Sequence, residues 1–136
     1  MKREFEIIND LAEITNLSVF IEELCEELAL PFETIMHINL ALEEAVANII
    51  MYAYPATEKQ SISLQVNASD KQIIFLLTDK GVSFDPTQKN DELPLDLPIE
   101  DRPIGGLGIF LIRSIMNEVS YQRLDGENRL TLKKDL

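Results

Sequence analysis

Hydrophobic and polar positions change period several times along the chain, and each change marks an element. Residues 2–8 alternate, with Phe5 and Ile7 set against Glu4 and Glu6, the period of a half-buried strand. Asn9 or Asp10 can then cap a helix that runs to about Leu30, with Leu17, Phe20, Ile21, Leu24 and Leu28 on one face. Pro31 interrupts the pattern. From Phe32 to about Tyr54 the helical period resumes with apolar residues on nearly every side, as in a helix buried between layers. Pro55 ends it.

Residues 61–67 alternate as a second strand, and Ala68-Ser69-Asp70-Lys71 reads as a hairpin turn. Residues 72–78 (QIIFLLT) are more uniformly apolar, which predicts a central strand. From Lys80 to Ile104 the chain turns irregular, with Pro86, Pro94, Pro98, Pro103 and many acids. So long an irregular stretch in a small domain is either functional or disordered. Gly105-Gly106-Leu107-Gly108 opens a helix continuing to about Asn117, and residues 118–124 and 128–134 pair around Asp125-Gly126. The order β-α-α-β-β-α-β-β predicts an α+β two-layer sandwich with three helices on one face of the sheet. At 136 residues the chain reads as one domain, without internal repeat or linker.

Charge and composition narrow the function. Twelve Lys+Arg against 24 Asp+Glu leave a net charge of −12, which argues against a general nucleic-acid binder and against docking on an anionic membrane. One cysteine, Cys25, excludes an internal disulfide and any zinc site built on several thiolates. Met1-Lys2-Arg3 resembles the start of a signal peptide, but Glu4, Glu6 and Asp10 interrupt the apolar stretch that should follow. No apolar run approaches the roughly 18 residues of a membrane span. A cytoplasmic protein is the expectation. Neither GxxxxGK[ST] nor a GxGxxG after a strand is present.

Three constellations carry candidate chemistry. Glu44 and Asn48 lie four apart on the second helix, on one face, among apolar residues. A carboxylate and an amide there need partners. A Glu can serve as general base and an Asn oxygen can ligate Mg²⁺; the plainer alternative is a satisfied buried amide beside a solvent-facing acid. Asp79-Lys80-Gly81, followed by Phe84-Asp85-Pro86, closes the apolar strand. It reads either as an acceptor for an exocyclic amine with a glycine allowing close approach, or as a strand-ending turn. Gly105-Gly106-Leu107-Gly108 can offer backbone N–H groups to phosphates at a helix start, or act as a hinge.

Taken in order, the three resemble the boxes of the GHKL (Bergerat-fold) ATPases, within them the small anti-sigma-factor serine/threonine kinases of bacterial partner-switching systems. Glu44-Ala-Val-Ala-Asn48 is similar to the N box, Asp79-Lys-Gly81 with Phe84-Asp85 to the first glycine box, and Gly105-Gly-Leu-Gly-Ile109 to the second. The resemblance implies a mixed, mainly antiparallel sheet and one ATP-binding kinase domain over residues 1–136. It implies Glu44 as catalytic base, Asn48 holding Mg²⁺, and Asp79 reading the adenine amine with Gly81 beneath the ring. Phe84, Gly105, Gly106, Leu107 and Gly108 would complete the ATP site. Residues 86–104 would be the lid, its prolines and acids predicting disorder without nucleotide. Arg102 is assigned a phosphate contact on its charge alone.

Family members often carry a Thr on the last hairpin; this chain reads Glu127-Asn128-Arg129-Leu130-Thr131 there. The activity implied is phosphorylation of a small antagonist protein, coupled to sequestration of a sigma factor or analogous regulator, with homodimers common in the family. The alternative is a module, with or without bound nucleotide, that only sequesters a protein. His37 reads as a surface or structural residue and Cys25 as half-buried. Glu22, Glu23, Glu26 and Glu27 read as a solvated face, or one that meets a basic partner.

Overall fold

A computed structural model describes residues 1–54, 59–88 and 106–136. The elements are β1 (Lys2–Ile8), α1 (Ile14–Glu27), α2 (Phe32–Tyr52), β2 (Ser61–Ala68), β3 (Gln72–Asp79), α3 (Gly106–Ile115), β4 (Glu118–Leu124) and β5 (Glu127–Asp135), with short 3₁₀ turns at Leu11–Glu13 and Pro86–Gln88. The sheet order is β1-β2-β3-β5-β4. Every neighbouring pair is antiparallel, which corrects the expectation of a mixed sheet. The reason is topological. Two helices return the chain from β1 to an antiparallel β2. One helix returns it from β3 to β4, and β5 then inserts between those two strands.

Alternation sets the core. Ile62, Leu64 and Val66 of β2, Ile73, Phe75 and Leu77 of β3, and Leu130 and Leu132 of β5 are buried, while the residues between them are not. The uniform apolarity of β3 fits its place as the middle strand, with a half-buried outer row. α2 packs against both α1 and α3, so it lies between neighbours inside the one helical layer, not between two layers as its pattern predicts. Its outer side still exposes Phe32, Met36, Leu40 and Met51.

The first helix differs at both ends. Asp10 does cap, accepting from the Ala12 N–H at 3.0 Å, but the first turn is 3₁₀ and the α-helix ends at Glu27 rather than Leu30. There the Leu30 N–H donates to the Cys25 carbonyl and the Ala29 N–H to Glu26, a Schellman closure with Ala29 at φ 56°. Asp125 (φ 54°) and Gly126 (φ 76°) form the β4–β5 turn, the type I′ geometry that Asp-Gly favours. Cys25 is fully buried, not half-buried, because it lies beside Leu24 and Ile21 on the core face. Burial pushes its thiol up to about 11, which makes it inert at neutral pH.

Candidate functional site

β3 carries its inward row, Ile73, Phe75 and Leu77, one step further to Asp79. β5 opens its own inward row with Asn128, directly opposite Asp79 in the register. The same alternation that builds the core therefore buries a carboxylate against an amide at the end of the sheet. Asp79 is 2% exposed and Asn128 4%. Asn48, on the core side of α2, is 3% exposed. These are the buried polar side chains among the described residues, and all three line one cavity with Ala45, Ile49, Phe84 and Tyr121. The cavity volume is only about 10 Å³, room for a single water.

Asp79 Oδ1 accepts the Gly81 N–H at 2.9 Å and the Asn128 amide at 2.9 Å. Burial pushes its carboxyl above the ordinary value; the Asn128 and Gly81 hydrogen bonds and the Arg123 charge oppose this. Neither Oδ2 of Asp79 nor the Asn48 amide has a partner among the described residues. No buried side-chain oxygen or nitrogen there is both sealed from solvent and unpartnered, so these atoms keep an opening. Through that opening an incoming ligand could hydrogen-bond to both. A single amide oxygen suits Mg²⁺, which keeps waters and phosphate oxygens as its other ligands. The described residues hold no cluster of three or more acids, His or Cys that would bind a metal unaided.

The two adjacent glutamates of α2 divide. Glu43 accepts a hydrogen bond from the Ser18 hydroxyl, which ties α2 to α1. Glu44 points elsewhere: a Cβ on Gly108 would lie 3.0 Å from Glu44 Oε2 and 3.2 Å from Asn48 Nδ2. Gly108 thus lets the start of α3 settle directly on the Glu44/Asn48 pair.

Gly81 has a different reason. A Cβ there would fall 2.3 Å from the Ala53 carbonyl oxygen, which also accepts the Val82 N–H at 2.9 Å. The turn after β3 is pressed against the end of α2, and only glycine fits. Phe84 stacks on Tyr52 with centroids 5.4 Å apart. Its N–H donates to Asn128 Oδ1 at 3.3 Å.

Among the expected site residues, Asn48, Asp79 and Phe84 meet at the cavity, with Glu44 and Gly108 beside them and Gly81 in the adjoining turn. Gly106 and Leu107 begin α3. Arg102, Gly105 and lid residues 89–104 lie outside the described residues. Sequence reasoning missed Tyr121 as a cavity residue and noted Asn128 only as a departure. The alternation Val119-x-Tyr121-x-Arg123 and Asn128-x-Leu130-x-Leu132 carried the signal. Thr131 pairs with Leu76 on the outer row, away from the site.

An antiparallel sheet under three helices, with a cavity holding three buried polar side chains between the sheet's end and the central helix, is the architecture of histidine-kinase-type ATPase domains. The chain belongs to that family: the model of the histidine kinase-like ATPase domain matches residues 7–134. The serine/threonine-protein kinase BtrW of Bordetella bronchiseptica is 35% identical over 95 residues, covering 70% of this chain and 66% of that protein. The serine-protein kinase RsbW of Bacillus velezensis is 29% identical over 98 residues, covering 70% of this chain and 61% of that protein. The chain thus spans less than two thirds of the length of these relatives. The RsbU and RsbW domains of Rv1364c from Mycobacterium tuberculosis superimpose with a TM-score of 0.69 at 14% identity, over 98% of this chain and 32% of that one, a likeness of fold.

Proposed function

We propose that this chain is an ATP-dependent serine/threonine protein kinase of the partner-switching kind. It works in the cytoplasm as a single domain with residues 86–104 as its lid. Its acceptor is a Ser or Thr of a small antagonist protein, and it sequesters a sigma factor or analogous regulator. The observation that carries the reading is the convergence of Asn48, Asp79 and Asn128 on one cavity, where the Asn48 amide and Asp79 Oδ2 have no hydrogen-bond partner among the described residues and stay open to a ligand. In this reading Asp79 accepts from the adenine amine and Gly81 lies under the ring. Asn48 contributes an oxygen to Mg²⁺, and the N–H groups around Gly105, Gly106, Leu107 and Gly108 face the phosphates, with Arg102 as a further contact. Bound Mg²⁺ supplies neutralisation of phosphate charge. Glu44, beside Asn48 and with no hydrogen-bond partner among the described residues, takes the proton of the attacking hydroxyl.

The narrowness of the cavity favours a second reading, a module that sequesters protein without phosphoryl transfer. Thermal melts with and without Mg·ATP separate the two. At about 100 times Kd the nucleotide should add roughly 2.7 kcal/mol of stability, a rise of several degrees that Asp79→Asn abolishes. Glu44→Gln should retain that shift and lose transfer of phosphate to a cognate antagonist by about 10²-fold or more. No shift at millimolar Mg·ATP leaves the sequestering module. Undiminished transfer by Glu44→Gln removes Glu44 from the role of base.

A further inference from the structure

Asn128 uses every hydrogen-bonding position of its side chain. Its amide nitrogen donates to Asp79 Oδ1 at 2.9 Å and to the Val82 carbonyl at 2.8 Å. Its oxygen accepts from Tyr121 Oη at 2.5 Å, Arg123 Nη1 at 3.1 Å and the Phe84 N–H at 3.3 Å. Arg123 Nη1 also donates to the Gly81 carbonyl at 2.7 Å. This one side chain joins β3, the turn after it, β4 and β5.

The partners also dictate which way round the amide sits. Turning it over would set its oxygen against the Asp79 carboxylate and the Val82 carbonyl, both acceptors. It would set its NH₂ against the Arg123 guanidinium and the Phe84 N–H, both donors only. The orientation with NH₂ on Asp79 is therefore enforced. That in turn fixes which carboxylate oxygen is free. Oδ1 is saturated by Gly81 and Asn128, and Oδ2, with no partner among the described residues, is left as an acceptor beside the cavity.

We infer that Asn128 is a positioning residue for base selection: it turns the Asp79 carboxylate so that Oδ2 presents a fixed, unshared acceptor to the exocyclic amine of a 6-aminopurine. Tyr121 and Arg123, on β4, hold Asn128 in that role. The inference rests on the nucleotide reading of the site and deepens it. A 6-oxopurine offers an acceptor where the amine would be, so it sets oxygen against oxygen. A site with a rigid acceptor rejects it far more strongly than one whose carboxylate can swing.

The test is equilibrium binding of Mg·ATP and Mg·ITP, which differ at the 6-amino group, to three variants of the full chain. Wild type should favour ATP. Asn128→Leu, with the same branched skeleton but without hydrogen bonds, should reduce the ATP-to-ITP affinity ratio about tenfold or more. Asn128→Thr, which keeps one donor toward Asp79, should restore most of it. The double variant Tyr121→Phe/Arg123→Met leaves Asn128 in place and removes two of the donors on its oxygen. It should lower the ratio in the same direction by a few-fold, and it decides the matter if Asn128→Leu does not fold. A merely structural role for Asn128 would weaken both nucleotides equally. An unchanged ratio in the folded variants therefore overturns the inference while the nucleotide site stands. Wild type that binds neither nucleotide overturns the site reading, and this inference falls with it.

Discussion

Asp79, Asn48 and Asn128 are where this domain departs from a purely apolar core, and each is placed by a periodicity that would otherwise bury a hydrophobe. The ionised Asp79 carries a burial penalty that its hydrogen bonds from Gly81 and Asn128 only partly offset. Its pKa in the folded state therefore lies above the unfolded value of about 3.9. As pH falls toward the raised pKa, the native state takes up the proton first. The contribution of this group to stability then grows on acidification through the window between the two values, and above it the ionised group is a net cost. Asp79→Asn keeps an oxygen for the Gly81 and Asn128 donors and removes the charge. Without ligand it should melt higher than wild type at neutral pH, with the gap narrowing in acid; differential scanning calorimetry at a series of pH values checks this. A variant less stable than wild type at pH 7 would mean that the hydrogen bonds outweigh burial. The two neighbouring glutamates make the same point about placement. Glu43 is occupied by Ser18, and Glu44 borders the space that Gly108 leaves open.

The elements themselves are joined through their ends. α1 stops in a Schellman closure whose left-handed position is Ala29, exposed and at φ 56°. An L-residue with a Cβ sits there at a cost of about 1–2 kcal/mol, part of which glycine gives back through the freer unfolded chain. Ala29→Gly should therefore stabilise the domain by roughly 1 kcal/mol, a rise of about 3 °C in Tm. A fall in Tm would show that the closure gains more from the stiffer unfolded chain than it loses to strain. α2 ends differently, with its last turn gripped from outside. The Ala53 carbonyl accepts from Val82, and the Tyr54 hydroxyl accepts the Lys80 N–H at 2.8 Å. The helix that carries Glu44 and Asn48 is in this way locked to the turn that carries Gly81. The β4–β5 hairpin reaches the same turn from the other side through Arg123 and Asn128. Three elements far apart in sequence therefore share one small junction.

At the scale of the molecule the acid excess dominates. Ion pairs among the described residues, Arg3–Glu27, Arg129–Glu127 and Lys133–Glu118, are at the surface and individually weak. With a net charge of −12, self-repulsion opposes the folded state. Screening that repulsion should raise Tm by a few degrees between about 10 mM and 500 mM NaCl at pH 7, as the Debye length falls from about 30 Å to only a few ångströms. A Tm that falls with salt would mean that attractive pairs prevail. No described helix is long and apolar enough to cross a membrane. Much of this was legible in the chain alone. Period two and period 3.6, the breaks at Pro31 and Asp125-Gly126, and the order of the three boxes determined the layers, the element order and the family, because these signals act within a few residues of each other. Register and contact at long range were decided only by the tertiary structure. It set Asn128 across from Asp79, 49 positions away, and tied Glu43 to Ser18 on α1. It made Gly81 answer to the Ala53 carbonyl, and left the parallel strands β3 and β4 separated by β5. Neither hydrophobic period nor turn chemistry encodes which strand end meets which helix, since that follows from how the buried faces pack together.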